Sequence, residues 1–210
     1  TNPRLCGVLK PPPHFTHVLS RMPNLYSVTT SMPWVGQHGV PWLALKVVLS
    51  APSLRELCVH SAAFSLGRLT PTEAFEFTTI APLKSFKYAL NRYPLYKDHP
   101  APLEVEVLSV LLKAVCETLE TLELTVASAP LDVLKRLRWP NLLKLSGRPK
   151  EPLTESYASQ FANMSKLRTL NLQLHLKDDR VGLTVASTIP QSEFPWPDLE
   201  ELYLPLPLTE

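Results

Sequence analysis

The feature that most constrains this chain is an apolar motif that recurs seven times along its length. The clearest copy begins LRTLNLQLHL at residue 167, with leucines at Leu167, Leu170 and Leu172 that define the template L-x-x-L-x-L. Seven segments match this template and carry an apolar or small residue at each defined position. They start at residues 25, 54, 83, 119, 142, 167 and 199. Because quasi-regular spacing of this length is typical of stacked structural units, the sequence predicts a repeat protein.

Proline stands two residues before the first leucine in four of these copies, at Pro23, Pro52, Pro140 and Pro197. Proline fixes φ and has no N–H, so it suits the residue just before a strand begins to pair. We therefore interpret these prolines as markers of where each strand begins.

Segments with helical periodicity lie between the copies. Within residues 102–119 the polar residues Glu106, Ser109, Lys113 and Glu117 follow one another at intervals of three or four and form one stripe on an apolar helix. Shorter helices are predicted near residues 15–22, 42–49, 131–137 and 153–161. A unit of one strand and one crossover does not bury its own apolar face, so we expect stacked units that form a single α/β solenoid over residues 1–210.

Alternation within each strand assigns its residues to the two faces of the predicted sheet. In the sixth copy Leu170 and Leu172 point inward, while Thr169, Asn171 and Gln173 point outward. The same register predicts a protein-binding concave face that consists of Glu56, Cys58, His60, Ser85, Lys87, Thr121, Glu123, Lys144, Ser146, Thr169, Asn171, Gln173, Glu201 and Tyr203. Mixed charge together with an aromatic residue is typical of protein recognition surfaces.

The longest spacing between copies accommodates the segment NRYPLYKDHPAP, which carries Tyr93 and Tyr96. Tyrosines flanked by prolines favour a semi-rigid loop, which we expect at the rim of the solenoid as a second binding element. The alternative is that both rings pack back onto the repeat units, and the pattern favours neither arrangement.

Composition argues against several classes of protein. A hydrophobic fraction of 45% with 19% charged residues is typical of a folded chain rather than a disordered one. A net charge of +2, with no basic cluster beyond Lys135, Arg136 and Arg138, argues against nucleic-acid binding. No apolar run approaches the length of a membrane span.

Cysteine usage and the first residues bear on the compartment. The three cysteines lie far apart without a CxxC pair, which favours a reducing environment, cytoplasmic or nuclear. The chain opens on Thr1 without a basic and then apolar leader, so the sequence predicts no secretory signal and favours a fragment or a processed chain.

Few side chains suggest catalysis or metal binding. His14 and His17 are three apart, but no neighbouring Cys or carboxylate motif completes a metal site. Cys58 and His60 lie two apart on one strand face, where their side chains should project in parallel and meet poorly, so we favour ordinary surface residues over a catalytic dyad. The segment 178–180 is interpreted as a solvated turn. We predict no enzyme activity, no cofactor and no metal.

The motif set resembles leucine-rich repeats, in their long and irregular form, over roughly residues 20–205. Regular repeats carry an Asn at one fixed position, where it bonds neighbouring loops. Among the corresponding positions of this chain, only Asn91 is an Asn. This departure predicts an unevenly curved solenoid of about seven repeats. Phrases such as MSKLRTLNLQL and WPDLEELYL resemble the repeat regions of fungal F-box proteins. That resemblance implies a substrate-binding region, with an F-box upstream of residue 1 that recruits a Skp-type adaptor and a cullin-RING ubiquitin ligase.

The leading hypothesis is therefore a non-enzymatic module that recognises another protein, as the substrate-binding part of an F-box protein. Two alternatives remain open, namely a leucine-rich scaffold unconnected with ubiquitin and an enzyme of unrecognised type.

Overall fold

A computed structural model of the protein describes residues 14–31, 40–60, 64–65, 79–89, 102–124, 129–147, 161–172 and 196–203. The helices within these ranges are α1 Phe15–Ser20, α2 Trp42–Leu49, α3 Pro102–Val115 and α4 Leu131–Arg136. The strands are β1 Ser27–Ser31, β2 Val40–Pro41, β3 Glu56–His60, β4 Phe64–Ser65, β5 Ser85–Ala89, β6 Thr121–Leu124, β7 Lys144–Gly147, β8 Thr169–Leu172 and β9 Glu201–Tyr203.

Seven of the strands form one sheet, in the order β1-β3-β5-β6-β7-β8-β9, and every pairing in it is parallel. The order in space follows the order along the chain, with β2 and β4 paired separately in a small parallel sheet. Parallel neighbours require a crossover between them, and the helices supply part of these connections. The prediction of an α/β chain with seven parallel strands, one for each copy of the motif, is confirmed.

The pairing register aligns the seven copies residue by residue. The second apolar position of the template forms one continuous row across the sheet, which runs through Val28, Leu57, Phe86, Leu122, Leu145, Leu170 and Leu202. The five central members of this row are at most 2% exposed. Because a slip of one residue would turn these side chains to the other face, their burial fixes the register.

The start of each strand is built in the same way in every copy. One carbonyl oxygen accepts two consecutive N–H groups of the next copy, as Tyr26 O does from Arg55 and Glu56 and Arg168 O does from Glu200 and Glu201. All six junctions of the sheet repeat this arrangement, with N···O distances of 2.7 to 3.1 Å. The repetition shows that the strand starts are equivalent in backbone geometry.

The prolines before the first leucine lie in tight turns. The Leu25 N–H donates to Met22 O, and the Leu54 N–H to Ala51 O, so Pro23 and Pro52 each occupy the second position of a four-residue turn. Leu142 and Leu199 close equivalent turns around Pro140 and Pro197. Proline favours this position because its fixed φ matches the turn, which gives it a more specific role than marking a strand start.

A single hydrophobic core lies on one side of the main sheet. It joins strand residues such as Leu57 and Phe86 to helix residues such as Leu49 and Leu108, and to Trp139 in a turn. The helix predicted over 42–49 matches α2. Helix α3 carries Glu106 and Lys113 on its exposed side and Ser109 half-buried, and Glu117 is exposed in the turn that follows it. Phe161 lies in a turn, not in the helix predicted over 153–161, most of which falls outside the described residues.

Polar side chains connect neighbouring copies on the crossover side of the fold. The Thr118 hydroxyl donates to Leu83 O at 2.8 Å, and Asn141 Nδ2 donates to Glu117 O at 2.9 Å. Asn163 Nδ2 donates to the carbonyls of Leu134 and Lys135 at the end of α4. The bonds to Glu117, Leu134 and Lys135 satisfy carbonyl groups that the ends of α3 and α4 leave open, whereas the bond to Leu83 holds the segment before β5. The positions at which regular repeats carry the bonding Asn, including Asn91, fall outside the described residues.

None of the described helices has the combination of length and apolar character that crossing a membrane requires.

Candidate functional site

The side of the main sheet opposite the core carries the predicted outward residues in rows, and we call it the polar face. Its first row runs across the strands through Ser27, Glu56, Ser85, Thr121, Lys144, Thr169 and Glu201. Its second row runs through Thr29, Cys58, Lys87, Glu123, Ser146, Asn171 and Tyr203. Ser31, His60 and Ala89 form a third, shorter row. The strand register thus brings the predicted residues of six separate copies together on one surface.

Three predicted residues fall outside the described part of the chain. They are Gln173, which follows β8, and the two loop tyrosines Tyr93 and Tyr96. The turn predicted at residues 178–180 lies outside it as well. The structure therefore bears on the sheet part of the predicted surface and leaves the rim loop as a prediction.

Strand β1 adds Ser27, Thr29 and Ser31 to the polar face, which the sequence analysis did not include. The signal was present, because PNLYSVTT matches the same template and alternates in the same way. All three residues pair directly with the outward residues of β3. The face is consequently one strand wider than predicted.

One residue of the polar face is not exposed as expected. Ser146 is only 7% exposed, although its strand position places it among outward residues. In the second row its short side chain stands between the longer side chains of Glu123 and Asn171 on the adjacent strands. Neighbours of this size shield a serine from solvent, so the prediction that Ser146 is accessible is wrong. Beside it, the Asn171 Oδ1 atom is buried and accepts no hydrogen bond from the described residues.

Charged residues on and beside the polar face are paired across adjacent strands. Lys87 Nζ lies 3.8 Å from Glu123 Oε2 between β5 and β6, and Lys84 Nζ lies 2.7 Å from Glu120 Oε1 at the starts of the same strands. The hydrogen bond to Glu120 raises the pKa of the Lys84 amine. Pairing of opposite charges leaves a surface without one dominant sign, which suits neither a phosphate backbone nor a strongly acidic or basic peptide.

At the other end of the face, at the starts of β8 and β9, polar and charged side chains are likewise paired across adjacent strands. Arg168 pairs with Glu200 at 3.6 Å, and the Thr169 hydroxyl donates to Glu201 Oε2 at 3.2 Å. Tyr203, in the last strand, is 57% exposed and supplies the aromatic side chain of the second row. An exposed aromatic side chain next to paired charges is a common composition for a protein-binding surface.

Cys58 and His60 are in direct contact, contrary to the expectation that they meet poorly. Cys58 Sγ lies 3.0 Å from His60 Nε2, within the half-buried part of the face. Burial raises the pKa of the Cys58 thiol, an effect that nearby Lys87 opposes and Glu123 reinforces. The thiol is therefore protonated at neutral pH and hydrogen-bonds to the imidazole ring, in contrast to the preformed thiolate of a typical catalytic cysteine.

Within the described ranges no three His, Cys, Asp or Glu side chains come together as metal ligands do. His14 and His17 are both exposed, at the N-cap of α1 and within its last turn.

No protein-family model, curated protein or solved structure matches this chain.

Proposed function

We propose that this chain is a leucine-rich-repeat solenoid that recognises another protein through its polar face, without catalysing a reaction. The observation that carries the proposal is the stacking of seven parallel strands in chain order, with one side of the sheet buried and the other lined by rows of polar residues. Repeat proteins of this architecture present such a sheet as an extended binding surface. Six junctions between successive strand starts, all bonded in the same way, support the repeat assignment.

The chemistry of the face supports a protein partner of mixed charge. One ion pair on the face and two beside it balance charge between neighbouring strands, and serine, threonine and asparagine fill other positions of its rows. A partner would compete for these exposed charges and bury the Tyr203 ring, which is the kind of contact that contributes most of the energy at protein interfaces. Nucleic acid and membrane surfaces, which require a concentration of one charge or of apolar side chains, match the face less well.

The resemblance to fungal F-box proteins supports a narrower proposal, in which the partner is a substrate of a cullin-RING ubiquitin ligase inside the cell. An F-box upstream of residue 1 would then bind a Skp-type adaptor, while the polar face binds the substrate. This part of the proposal depends on the sequence phrases of the sixth and seventh copies. Co-purification of a Skp-type adaptor and a cullin with the full-length protein would support it, and a partner bound without them would favour a leucine-rich scaffold.

Affinity capture with matched variants tests the recognition role. In the first variant Glu123, Lys144 and Asn171 are replaced by alanine on the polar face. In the control variant Glu106, Lys113 and Glu117 are replaced by alanine on the exposed side of α3 and the turn that follows it. We expect the wild type and the control variant to capture the same partner protein, and the first variant to lose it. Equal capture by all three, with unchanged thermal melts, would contradict binding at the polar face.

A further inference from the structure

The contact between Cys58 and His60 brings a thiol and a proton acceptor together on an accessible face. The two residues occupy alternate positions of β3, so both side chains project from the same side of the sheet. Their reactive atoms, Sγ and Nε2, are 3.0 Å apart, which is within hydrogen-bond distance and close enough for a proton to pass from the thiol to the ring nitrogen in the tautomer that leaves Nε2 unprotonated. We infer that Cys58 is a site of reversible covalent modification by low-molecular-weight disulfides, with His60 as the acceptor of its proton.

Accessibility separates Cys58 from the other described cysteine. Cys58 is half-buried on the polar face, whereas Cys116, directly after α3, is buried in the core. The Cys116 thiol hydrogen-bonds to Lys113 O at 3.5 Å, and burial raises its pKa. Cys58 is therefore the thiol that a small disulfide reaches more readily, because the Cys116 thiol requires the core to open first.

The proposed step is a thiol–disulfide exchange. Cys58 Sγ attacks one sulfur of the small disulfide while its proton passes to His60 Nε2. The S–S bond of the reagent breaks, a mixed disulfide forms at Cys58, and the leaving thiolate takes the proton back from the imidazolium as it departs as a thiol. Cys58 is oxidised and the departing half of the reagent is reduced, so the exchange needs no further reactant.

The surroundings of the pair explain why His60 matters for this reaction. The neighbours of Cys58 and His60 on β1, Thr29 and Ser31, carry no charge. On the other side Lys87 of β5 favours the thiolate, while Glu123 of β6, 3.8 Å from the Lys87 amine, opposes it. Because burial raises the pKa of the Cys58 thiol and the nearby charges oppose one another, a preformed thiolate is scarce, and transfer of the proton to His60 opens a route at neutral pH.

The rate of reaction with dithiobis(nitrobenzoate), followed by release of the coloured thiolate, tests the inference in the full chain. A Cys6→Ser background leaves Cys58 and Cys116 as the only thiols. We expect a single fast thiol in this background, and its loss on adding Cys58→Ser. Adding His60→Asn instead should slow the reaction at neutral pH by about tenfold or more. The matched control His14→Asn, at an exposed site before α1, should react as the background does.

The pH profile distinguishes proton transfer from a merely structural effect of the substitution. In the His60→Asn protein only thiolate reacts, so we expect the rate to rise by about tenfold per pH unit below the thiol pKa. With His60 present the rate should depend less steeply on pH. Equal rates with and without His60 at every pH, or a Cys58 no faster in the folded chain than in the chain in denaturant, would overturn the inference. Circular dichroism of each variant confirms that the rates refer to the same fold. The reaction requires no protein partner, so its outcome is independent of the proposed recognition role.

Discussion

The Tyr88 hydroxyl donates a hydrogen bond to the Glu104 carboxylate inside the hydrophobic core, where both side chains are at most 4% exposed. Tyr88 comes from β5 and Glu104 from the first turn of α3, so the bond connects the sheet to its longest described helix. A buried carboxylate is costly unless donors satisfy it, and the tyrosine supplies one of them. The pair is therefore a polar contact that links α3 to the sheet inside the core.

Replacement of Tyr88 by phenylalanine should destabilise the fold by about 1–3 kcal/mol, because Glu104 loses a donor while the packing of the ring is retained. The measurement is the free energy of unfolding in urea. Tyr26→Phe is the matched control, since that ring is 53% exposed and its loss of a hydroxyl should change stability little. Equal effects of the two substitutions would show that the Tyr88–Glu104 bond contributes nothing.

Stability should fall at high pH in a way that depends on Tyr88. Burial raises the pKa of Tyr88 well above its ordinary value of 10.0, and the Glu104 charge and hydrogen bond raise it further. Above pH 10 the unfolded chain therefore loses the tyrosine proton that the folded chain keeps, so the folded state loses stability as pH rises. The contribution of Tyr88 is complete below pH 10 and should decline by about 1.4 kcal/mol per pH unit above it.

Urea midpoints of the wild type and the Tyr88→Phe protein, measured between pH 9 and about 11, check this dependence. Other tyrosines, lysines and cysteines titrate in both proteins, so the difference between the two curves isolates Tyr88. We expect that difference to shrink as pH rises above 10. Parallel curves would mean that Tyr88 ionises alike in the folded and unfolded chains.

The strand register predicts how two leucines in the same row differ in their contribution to stability. Leu170 is fully buried, whereas Leu202, its partner on β9, is 49% exposed at the edge of the described sheet. Leu170→Ala should cost about 2–5 kcal/mol, as truncation of a buried leucine usually does. Leu202→Ala, the matched control, should cost clearly less. A loss below about 0.5 kcal/mol for Leu170→Ala would contradict the register.

The local pattern of the sequence was sufficient to predict the strands and their faces. Alternation within each copy separates Leu170 from Asn171, and the shared template aligns copies that lie 23 residues or more apart. The burial of Glu104 was not predictable in this way, because carboxylates are usually exposed and its partner Tyr88 belongs to a different element. Periodicity indicates which side of an element is apolar. It does not indicate which polar residue on that side forms a hydrogen bond with another element.

The two unexpected features of the polar face have the same origin. Ser146 is shielded by residues of adjacent strands, and the Cys58–His60 contact depends on the rotamers that two neighbouring side chains adopt. Neither follows from the position of a residue along its own strand, because alternation gives only the side of the sheet from which a side chain leaves. Sequence therefore predicted which residues share the face, and the structure was needed to determine how they contact one another.

Asn163 should contribute more to stability than its half-buried position in a turn suggests. The two N–H donors of its Nδ2 group are shared among three carbonyl oxygens at the end of α4, those of Leu134, Lys135 and Leu137. Asn163→Ala removes these donors and should cost about 1–3 kcal/mol in the free energy of unfolding. Asn163→Asp should cost more, because a carboxylate would then face three carbonyl oxygens. Asn141→Ala, which removes two exposed bonds, one to Glu117 O and one from Lys166 Nζ, is the matched control. If the Asn163 and Asn141 substitutions prove equally mild, water satisfies the end of α4 and Asn163 does not cap it.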